Sequence, residues 1–249
     1  MRAIILAAGQ GTRIRLVHGQ HPKCLIEVDE KTILDHQLGA LSMAGINEVA
    51  IVIGYEQEQI MSHVKSSALA YKQNIRFIEN RAFATTNNIY SLWLALDWLH
   101  WLRRDSFMVL NADVIFDPEI LVPATRPTAP ISMIVDPSWR DETMKVIVEG
   151  DRVIKMSKKI SKEEFSGTYI GITVFSEAIQ DIFFRKMSKF VSDGRVNGFF
   201  NVAVQELADE GIHVGFTTTE GLPWAEIDDP LDLTFAQQNV FPQLAERVL

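Results

Sequence analysis

A short glycine-containing loop near the amino terminus has residue types that suit a bound polyphosphate. Gly9 and Gly11 follow an apolar run of strand length, and two cations, Arg13 and Lys23, come after them. Glycines let the backbone approach phosphate oxygens closely and donate its N–H groups to them, and the two cations add positive charge. The residues expected to contact phosphate through this loop are Leu6, Ala7, Ala8, Gly9, Gly11 and Thr12.

The loop does not match two well-known phosphate-binding motifs. A P-loop ends in Gly-Lys-Ser/Thr, and Gly-x-Gly-x-x-Gly requires a third glycine where this sequence has Ile14. An ordinary strand-to-helix turn is therefore the alternative interpretation. The two small residues before the glycines and the two cations after them favour phosphate binding.

Carboxylates at two distant places in the chain are candidate metal ligands. Asp113 follows an apolar run of strand length, whereas Glu226 and Asp228 precede the last predicted helix. Mg²⁺ prefers oxygen ligands and is usually held by one or two protein carboxylates together with substrate phosphates. The alternatives are a capping or turn role for Asp113 and a solvated acidic edge, since residues 206–232 contain eight acids and neither Lys nor Arg.

Asn88 and Ser91 are one helical turn apart in a predicted helix, so both side chains can reach the base or ribose of a nucleotide. An ordinary N-terminal helix cap is the alternative role for Asn88.

Three aromatic residues, Trp139, Tyr169 and Trp224, suit a pocket for an amine through cation–π contacts, with core packing as the alternative. Lys145 lies in a strand-patterned segment whose alternation allows it to face water. Cys24 stands beside Lys23, but the sequence indicates no histidine partner for it, so it is interpreted as a packing residue.

The elements that must position these residues alternate along the first half of the chain. Strand-length apolar runs alternate with helix-period segments, which predicts a mixed, mostly parallel sheet with helices on both faces. Strand-rich sequence in the second half predicts a small antiparallel insertion within one α/β domain. The predicted strands are 3–6, 49–53, 75–78, 107–110, 131–135, 145–148, 152–156, 169–175 and 212–216. The predicted helices are one capped by Thr32 and closed by Gly45, then 56–66, 88–102, 177–186, 201–211 and 229–246.

Composition excludes several classes of protein. The 249 residues carry a formal net charge of -8, which disfavours contact with a nucleic-acid backbone. The single cysteine excludes an intrachain disulfide and a zinc ribbon and favours a reducing compartment. No stretch approaches the ~18 apolar residues of a membrane span. A cytoplasmic protein without nucleic-acid or membrane partners is expected.

Several segments in order along the chain resemble the sugar-phosphate nucleotidyltransferase superfamily. The superfamily signature is Leu-Ala-Ala-Gly-x-Gly-Thr-Arg followed by Pro-Lys-Cys-Leu-Ile-Glu-Val. Four further segments are similar to its CTP-dependent branch, whose members act on phosphocholine, 2-aminoethylphosphonate or inositol phosphate. They are Thr86–Leu92, Asn111–Asp113, Asp141–Val146 and Trp224–Asp228. The matches span residues 3 to about 235.

The resemblance implies a Rossmann-like nucleotidyltransferase domain over residues 1–249, with a nucleotide-binding half of about 1–115 and an acceptor-binding half of about 116–249. It implies transfer of CMP from CTP to a small phosphorylated or phosphonate acceptor, with Mg²⁺ as cofactor and pyrophosphate as product. Arg13 and Lys23 are then the catalytic cations, and the metal ligands are Asp113 and Asp228. Asp113 is also an expected nucleotide contact. The expected acceptor contacts are Asp136, Lys145, Tyr169 and Glu226.

Departures from the family pattern and competing functions remain open at this point. Residues 14–21 replace the usual continuation of the loop, and Thr168 stands where related sequences often carry an acid. A sugar-1-phosphate uridylyl- or thymidylyltransferase would share the loop and the carboxylates. A glycosyltransferase would need an Asp-x-Asp-like motif where this chain has Asn111-Ala112-Asp113. A non-catalytic nucleotide-binding domain would not need the full set of charged residues.

Overall fold

A large mixed β-sheet runs through the centre of the protein. The computed structural model describes residues 1–14, 19–67, 72–100 and 105–248, and within them nine strands form this sheet, with two separate two-stranded pairs beside it. The strands are β1 (Arg2–Ala7), β2 (Glu27–Val28), β3 (Lys31–Thr32), β4 (Glu48–Ile53), β5 (Asn74–Glu79), β6 (Phe107–Asn111), β7 (Val114–Phe116), β8 (Ile131–Asp136), β9 (Lys145–Glu149), β10 (Arg152–Ser157), β11 (Gly167–Phe175), β12 (Val214–Thr218) and β13 (Trp224–Glu226).

The sheet is parallel on one side and largely antiparallel on the other. Its main path is β10-β9-β11-β6-β1-β4-β5, and β8 pairs with both β11 and β12. The strands β6, β1, β4 and β5 are parallel neighbours, whereas β11 runs antiparallel to β6, β8 and β9. The predicted mixed α/β fold is confirmed. The strand-rich second half of the chain adds β9, β10 and β11 to the main sheet as antiparallel strands. The small antiparallel pairs are β2–β3 and β7–β13.

Helices cover both faces of the sheet, as predicted. The α-helices are α1 (Ile33–Met43), α2 (Gln57–Ser66), α3 (Asn88–His100), α4 (Leu121–Ala124), α5 (Gln180–Ser192), α6 (Asn201–Asp209), α7 (Pro230–Phe235) and α8 (Phe241–Val248). One buried core lies between the sheet and α1 and α2, and a second lies between the sheet and α3, α5 and α6. Among the described helices, none combines the length and the apolar content that a bilayer crossing requires.

The ends of several helices follow local sequence signals. Thr32 and Asp35 form the capping box that begins α1, and Gly45, at φ +74°, follows its end. The predicted strand 212–216 lies two residues later than expected because Gly211, at φ +91°, and the amide of Ile212 close the end of α6. The predicted helix 88–102 is described only to His100.

The predicted last helix is continuous but not regular. It consists of α7, a π-helical segment over Ala236–Val240, and α8. Pro230 occupies its first turn, and Asp229 caps it by accepting hydrogen bonds from the amides of Leu231 and Asp232. A third apolar core lies under this helix and the β7–β13 pair, and Ile14 and Ile26 belong to it.

Candidate active site

Strand β1 lies in the middle of the parallel strands. The glycine loop begins at the carboxyl end of β1. This is the edge of an open α/β sheet at which ligands usually bind. Gly11 has φ +56°, and a Cβ at this position would lie 3.0 Å from the Cβ of Lys23. Glycine therefore permits both the left-handed backbone and the close packing of the Lys23 side chain against the loop.

Lys23 and Arg13 contact two carboxylates that are distant in sequence. The Nζ of Lys23 lies 2.7 Å from Asp113 Oδ2 and 2.5 Å from Asp228 Oδ1. The Nη2 of Arg13 lies 2.7 Å from Asp228 Oδ2, and its Nη1 lies 3.6 Å from Glu142 Oε2. The two predicted cations and the two predicted metal ligands therefore share one cluster.

The β7–β13 pair is the element that brings the distant carboxylates together. Asp113 directly precedes β7, and Glu226 ends β13 opposite Val114. The amide of Ile227 also donates to the carbonyl oxygen of Asp113 at 2.8 Å. Sequence reasoning missed both strands because a run of three residues gives too short a pattern to distinguish a strand from a loop.

Three carboxylates at this cluster could hold a metal ion. One oxygen each from Asp113, Glu226 and Asp228 lie within 4.8 Å of one another. The Oδ1 atom of Asp113 is buried and accepts no hydrogen bond from the described residues. An all-oxygen donor set with an orphaned buried oxygen fits a hard divalent cation such as Mg²⁺.

In this cluster, the negative charges of the carboxylates are not fully offset by the neighbouring cations. Burial, together with the charges of Asp113 and Asp228, raises the pKa of Glu226 to about 8. Burial also opposes ionisation of Asp228, but Lys23 and Arg13 hold the pKa of that carboxyl below its ordinary value. Burial disfavours the Lys23 ammonium as well, yet Asp113 and Asp228 hold its pKa above the ordinary value. Lys23 is therefore charged, and Glu226 is the carboxyl whose ionisation burial and the neighbouring carboxylates oppose most strongly.

Two adjoining cavities line the carboxyl ends of the parallel strands. The first, of about 270 Å³, is lined by Leu6, Ala7, Gly9, Gly11, Thr12, Arg13, Lys23, Cys24, Ala112, Asp113 and Asp228. The second, of about 230 Å³, shares six of these residues and adds Ala8, Asn80, Phe83, Thr86, Asn87, Asn88, Ser91, Asn111, Lys158, Phe199 and Glu226. Every residue predicted to bind the nucleotide lines at least one of the two.

The start of α3 contributes amide and hydroxyl groups to the second cavity. Asn88 Oδ1 accepts a hydrogen bond from the amide of Phe200 at 2.8 Å, and Ser91 Oγ accepts one from Asn80 Nδ2 at 3.0 Å. Sequence reasoning missed Asn80, Lys158 and Phe199 in this cavity. A polar residue directly after β5 was a usable signal for Asn80, whereas nothing in the local pattern marks the other two.

A third and larger cavity, of about 690 Å³, lies on the other side of the carboxylates. Glu226, Asp228 and Arg13 border both this cavity and the second one. The rest of its lining is Ser138, Trp139, Arg140, Asp141, Glu142, Thr143, Asp229, Leu231, Asp232 and Phe235. Arg140, which sequence reasoning missed, stacks over the ring of Trp224 at 4.2 Å.

Three predicted acceptor contacts do not line these cavities. Asp136 accepts hydrogen bonds from the amide and hydroxyl of Ser138 and from the hydroxyl of Thr219. Lys145 is 2% exposed and donates to the carbonyl oxygen of Thr143 at 3.2 Å.

Tyr169 is buried and lies 2.9 Å, through its hydroxyl, from Thr173 Oγ1. Its role as an acceptor contact, like those of Asp136 and Lys145, stays a prediction. Glu226 is the member of the predicted acceptor set that lines a cavity.

Other residues singled out from the sequence have structural surroundings. Trp139 lines the third cavity, whereas Trp224 is buried beneath Arg140. Cys24 is 2% exposed, and burial raises the pKa of its thiol to about 12, which agrees with a packing role. Within the atypical loop 14–21, Ile14 packs in the third core, while residues 15–18 lie outside the described part of the chain.

A comparison with known protein families identifies the family of this chain. The family described as "MobA-like NTP transferase domain" matches residues 3–156, which include the glycine loop, Lys23 and Asp113. The chain belongs to this family of nucleotidyltransferases. The match ends before Glu226 and Asp228, so the carboxyl-terminal part of the cluster comes from outside the matched region.

Curated relatives and solved structures agree with this assignment. The chain is 27% identical over 192 residues to a CTP:phosphoglutamine cytidylyltransferase of Campylobacter jejuni, covering 71% of this chain and 73% of that protein. It is 39% identical over 114 residues to a choline-phosphate cytidylyltransferase of Streptococcus pneumoniae, covering 45% and 47%. The inositol-1-phosphate CTP transferase of T. maritima has the same fold, with a TM-score of 0.76 over 96% of this chain and 97% of that one, at 21% identity.

Proposed function

We propose that this nucleotidyltransferase transfers CMP from CTP to a small phosphorylated or phosphonate acceptor and releases pyrophosphate. The proposal depends on one observation. Four charged residues meet in the first cavity, beside the glycine loop: Arg13, Lys23, Asp113 and Asp228. A loop for phosphate, two cations and two carboxylates are the groups that a nucleoside triphosphate with a divalent ion requires. The cytidine nucleotide is proposed from the relatives at 27% and 39% identity.

The proposed nucleophile is an oxygen of the acceptor's phosphate or phosphonate group. It attacks the α-phosphorus of CTP, a new P–O bond forms, and the bond to the β-phosphate oxygen breaks as pyrophosphate leaves. A phosphate monoester has a second pKa of about 6, so its oxygen is already largely ionised at neutral pH. The step does not require a general base, and the main difficulty is to bring two anions together.

The residues of the cleft would meet that difficulty by charge compensation and alignment. Lys23 and Arg13 would bind the phosphate chain and the departing pyrophosphate, while the backbone of the glycine loop holds the triphosphate in place. Asn88 and Ser91 line the part of the cleft proposed for the base and ribose. Asp113 and Asp228 would hold Mg²⁺, which when bound adds positive charge at the α-phosphate and helps to orient it.

We further propose that residues of about 1–115 form the nucleotide half and residues of about 116–249 form the acceptor half. Lys158 would bind the phosphate of the acceptor, because its side chain lines the second cavity together with Asp113 and Glu226. The charge of Lys158 also lowers the pKa of Glu226 and of Asp228, by less than the charge of Lys23 does. The third cavity, of about 690 Å³, offers room for the remainder of the acceptor.

The proposal is tested by measuring pyrophosphate release with Mg²⁺ and CTP, UTP, dTTP or GTP against a panel of acceptors. The panel should include phosphocholine, 2-aminoethylphosphonate, inositol 1-phosphate, phosphorylated glutamine and two sugar 1-phosphates. Release that depends on both CTP and a non-sugar acceptor is expected. A reaction that instead requires UTP or dTTP and a sugar 1-phosphate would replace the proposal with a sugar nucleotidyltransferase. CTP binding without release, over the whole panel, would contradict a catalytic role.

A further inference from the structure

A buried glutamine on α1 holds the backbone turn that carries Asp113. The Nε2 atom of Gln37 donates to the carbonyl oxygen of Asn111 at 2.7 Å and to that of Val114 at 2.9 Å. These two carbonyl groups stand on either side of Asp113 in the chain. Gln37 is fully buried, and it lies outside the residues that line the three cavities.

The orientation of the amide is set by its partners. Both neighbours are carbonyl oxygens, so the nitrogen must face them and the oxygen must point away. That Oε1 atom accepts no hydrogen bond from the described residues, which is a cost. An apolar residue of similar length would fill the same space without this cost, but it would leave the carbonyl oxygens of Asn111 and Val114 without the Gln37 donor.

The same turn is held on a second side by β11. Gly171 has φ +88°, and a Cβ at this position would lie 3.0 Å from Val114 Cγ2 and 3.2 Å from Asn111 Cβ. With the amide of Ile227 on the carbonyl oxygen of Asp113, the turn has contacts to α1, β11 and the segment after β13. Gln37 is the member of this group that acts through two hydrogen bonds from a single side chain.

We propose that Gln37 is a positioning residue that fixes the Asp113 carboxylate for metal and nucleotide binding. This inference rests on the proposed function, because it assumes that Asp113 is a ligand of the divalent ion. Some residues do not bind a metal themselves but orient the residues that do. Their removal typically lowers metal affinity or activity by about 10–100-fold.

The chain offers a matched control for this side chain. Gln73 is also buried, its Nε2 donates to the carbonyl oxygens of Leu38 at 3.1 Å and Ile46 at 3.2 Å, and its Oε1 is likewise unpartnered among the described residues. It precedes β5 and so lies at the opposite edge of the sheet from the cleft. Replacing either glutamine removes the same chemistry, but only one of them touches the turn with Asp113.

The test compares Gln37→Met with Gln73→Met, first in Mn²⁺ affinity followed by electron paramagnetic resonance in the presence of CTP. We expect Mn²⁺ affinity to fall about tenfold or more in Gln37→Met and to stay near the wild-type value in Gln73→Met. The kcat of pyrophosphate release should fall in parallel in Gln37→Met, with little change in the KM for the acceptor. Equal losses in both variants would overturn the inference, because they would mean a general effect on stability.

A second readout does not depend on the proposed function. The amide of Ile227 should exchange its hydrogen faster in Gln37→Met than in Gln73→Met, because its acceptor is the Asp113 carbonyl oxygen. If wild-type protein shows no metal-dependent release of pyrophosphate, the proposed function fails, and this exchange rate still decides whether Gln37 positions the turn. Where Gln37→Met does not fold, Gln37→Glu keeps the length of the side chain and places an oxygen against the two carbonyl groups. Unchanged Ile227 exchange would overturn the inference.

Discussion

The first cavity, which we propose for the phosphate chain, and the third cavity, which we propose for the acceptor, are built in different ways; they form the phosphate side and the acceptor side of the cleft. The phosphate side consists mainly of one contiguous loop after β1, together with Lys23 and the ends of neighbouring parallel strands. The acceptor side is formed by residues 138–143 and by the first turns of the last helix, which are about 90 residues apart in the sequence. Arg13 and Asp228 border both sides. The difference teaches that most of the proposed phosphate side is encoded locally in the sequence, whereas the proposed acceptor side depends on tertiary packing.

The two sides also differ in how their charges are compensated. Lys23 is largely buried and in direct contact with Asp113 and Asp228. In the third cavity, Arg140 stacks on the buried Trp224, while Glu142 is 84% exposed and contacts Arg13 only at 3.6 Å. The phosphate side is therefore the more rigidly prepared of the two, and substitutions there should have the larger effects.

The largest loss is expected from removing either charged partner at the centre of the phosphate side. Lys23→Ala and Asp113→Ala should each lower kcat/KM by on the order of 10²–10³, because a preorganised charge contact is lost. Pyrophosphate release measures the effect, and circular dichroism checks that both variants are folded. The exposed Lys31 supplies a control, since Lys31→Ala should leave turnover unchanged. Near-normal turnover in Lys23→Ala or Asp113→Ala would refute the assignment.

A smaller loss is expected from Lys158→Ala, because Lys158 lines the second cavity, where we propose that it binds the phosphate of the acceptor. A hydrogen bond to a charged group contributes about 1.5–3 kcal/mol, and 1.4 kcal/mol corresponds to about tenfold in affinity. The KM for the acceptor should therefore rise about tenfold or more while the KM for CTP stays constant. Initial rates with each substrate varied in turn provide the measurement.

The neighbouring lysine is the control for this prediction. Lys159 is exposed and does not line the three cavities, so Lys159→Ala should behave as the wild type. A rise in the KM for CTP in Lys158→Ala, with no change for the acceptor, would move Lys158 to the nucleotide half and weaken the division between the two sides.

The glycine loop allows phosphate binding to be separated from folding. A Cβ at Gly9 would meet no heavy atom within 4 Å, so Gly9→Ala should fold and melt as the wild type. The new methyl group would occupy the space through which phosphate approaches the loop, and CTP affinity should fall several-fold.

Isothermal titration calorimetry with CTP and a thermal melt test this pair of expectations. Gly39→Ala is the matched control, because Gly39 lies within α1 with equally open space around its Cβ position. It should change neither CTP affinity nor turnover. CTP affinity that is unchanged in Gly9→Ala would contradict direct contact between this loop and the nucleotide.

The smallest effect is expected at Cys24, which lies beside Lys23 but should contribute packing alone. Burial raises the pKa of its thiol to about 12, so almost none of it is thiolate at pH 8. The native protein should therefore react very slowly with a disulfide reagent and react fully after unfolding. Fast labelling of the native protein, lost when CTP is added, would assign Cys24 to the reacting part of the site.

The phosphate side could be predicted from the sequence because its signals are local. Gly9, Gly11 and Arg13 lie within five residues, and the parallel strands β1, β4 and β6 each have a continuous apolar run that ends at a recognisable turn. The capping box of Thr32 and Asp35 fixed the start of α1 for the same reason.

The acceptor side and the supporting contacts could not be predicted in the same way. The β7–β13 pair consists of three-residue strands, and Gln37 looks like any other polar residue of a helix until its partners at Asn111 and Val114 are known. Lys158 follows an exposed edge strand, where lysine is common for reasons of solubility. Lys145, whose pattern allowed it to face water, is instead buried.

The most direct test of the account is a crystal structure of the protein with Mn²⁺ and a CTP analogue that cannot be cleaved between the α- and β-phosphates. The account predicts an anomalous peak that contacts both Asp113 and Asp228, with the phosphate chain against Gly9, Gly11 and Arg13. An anomalous peak at another group of carboxylates, or a nucleotide bound outside this cleft, would contradict it.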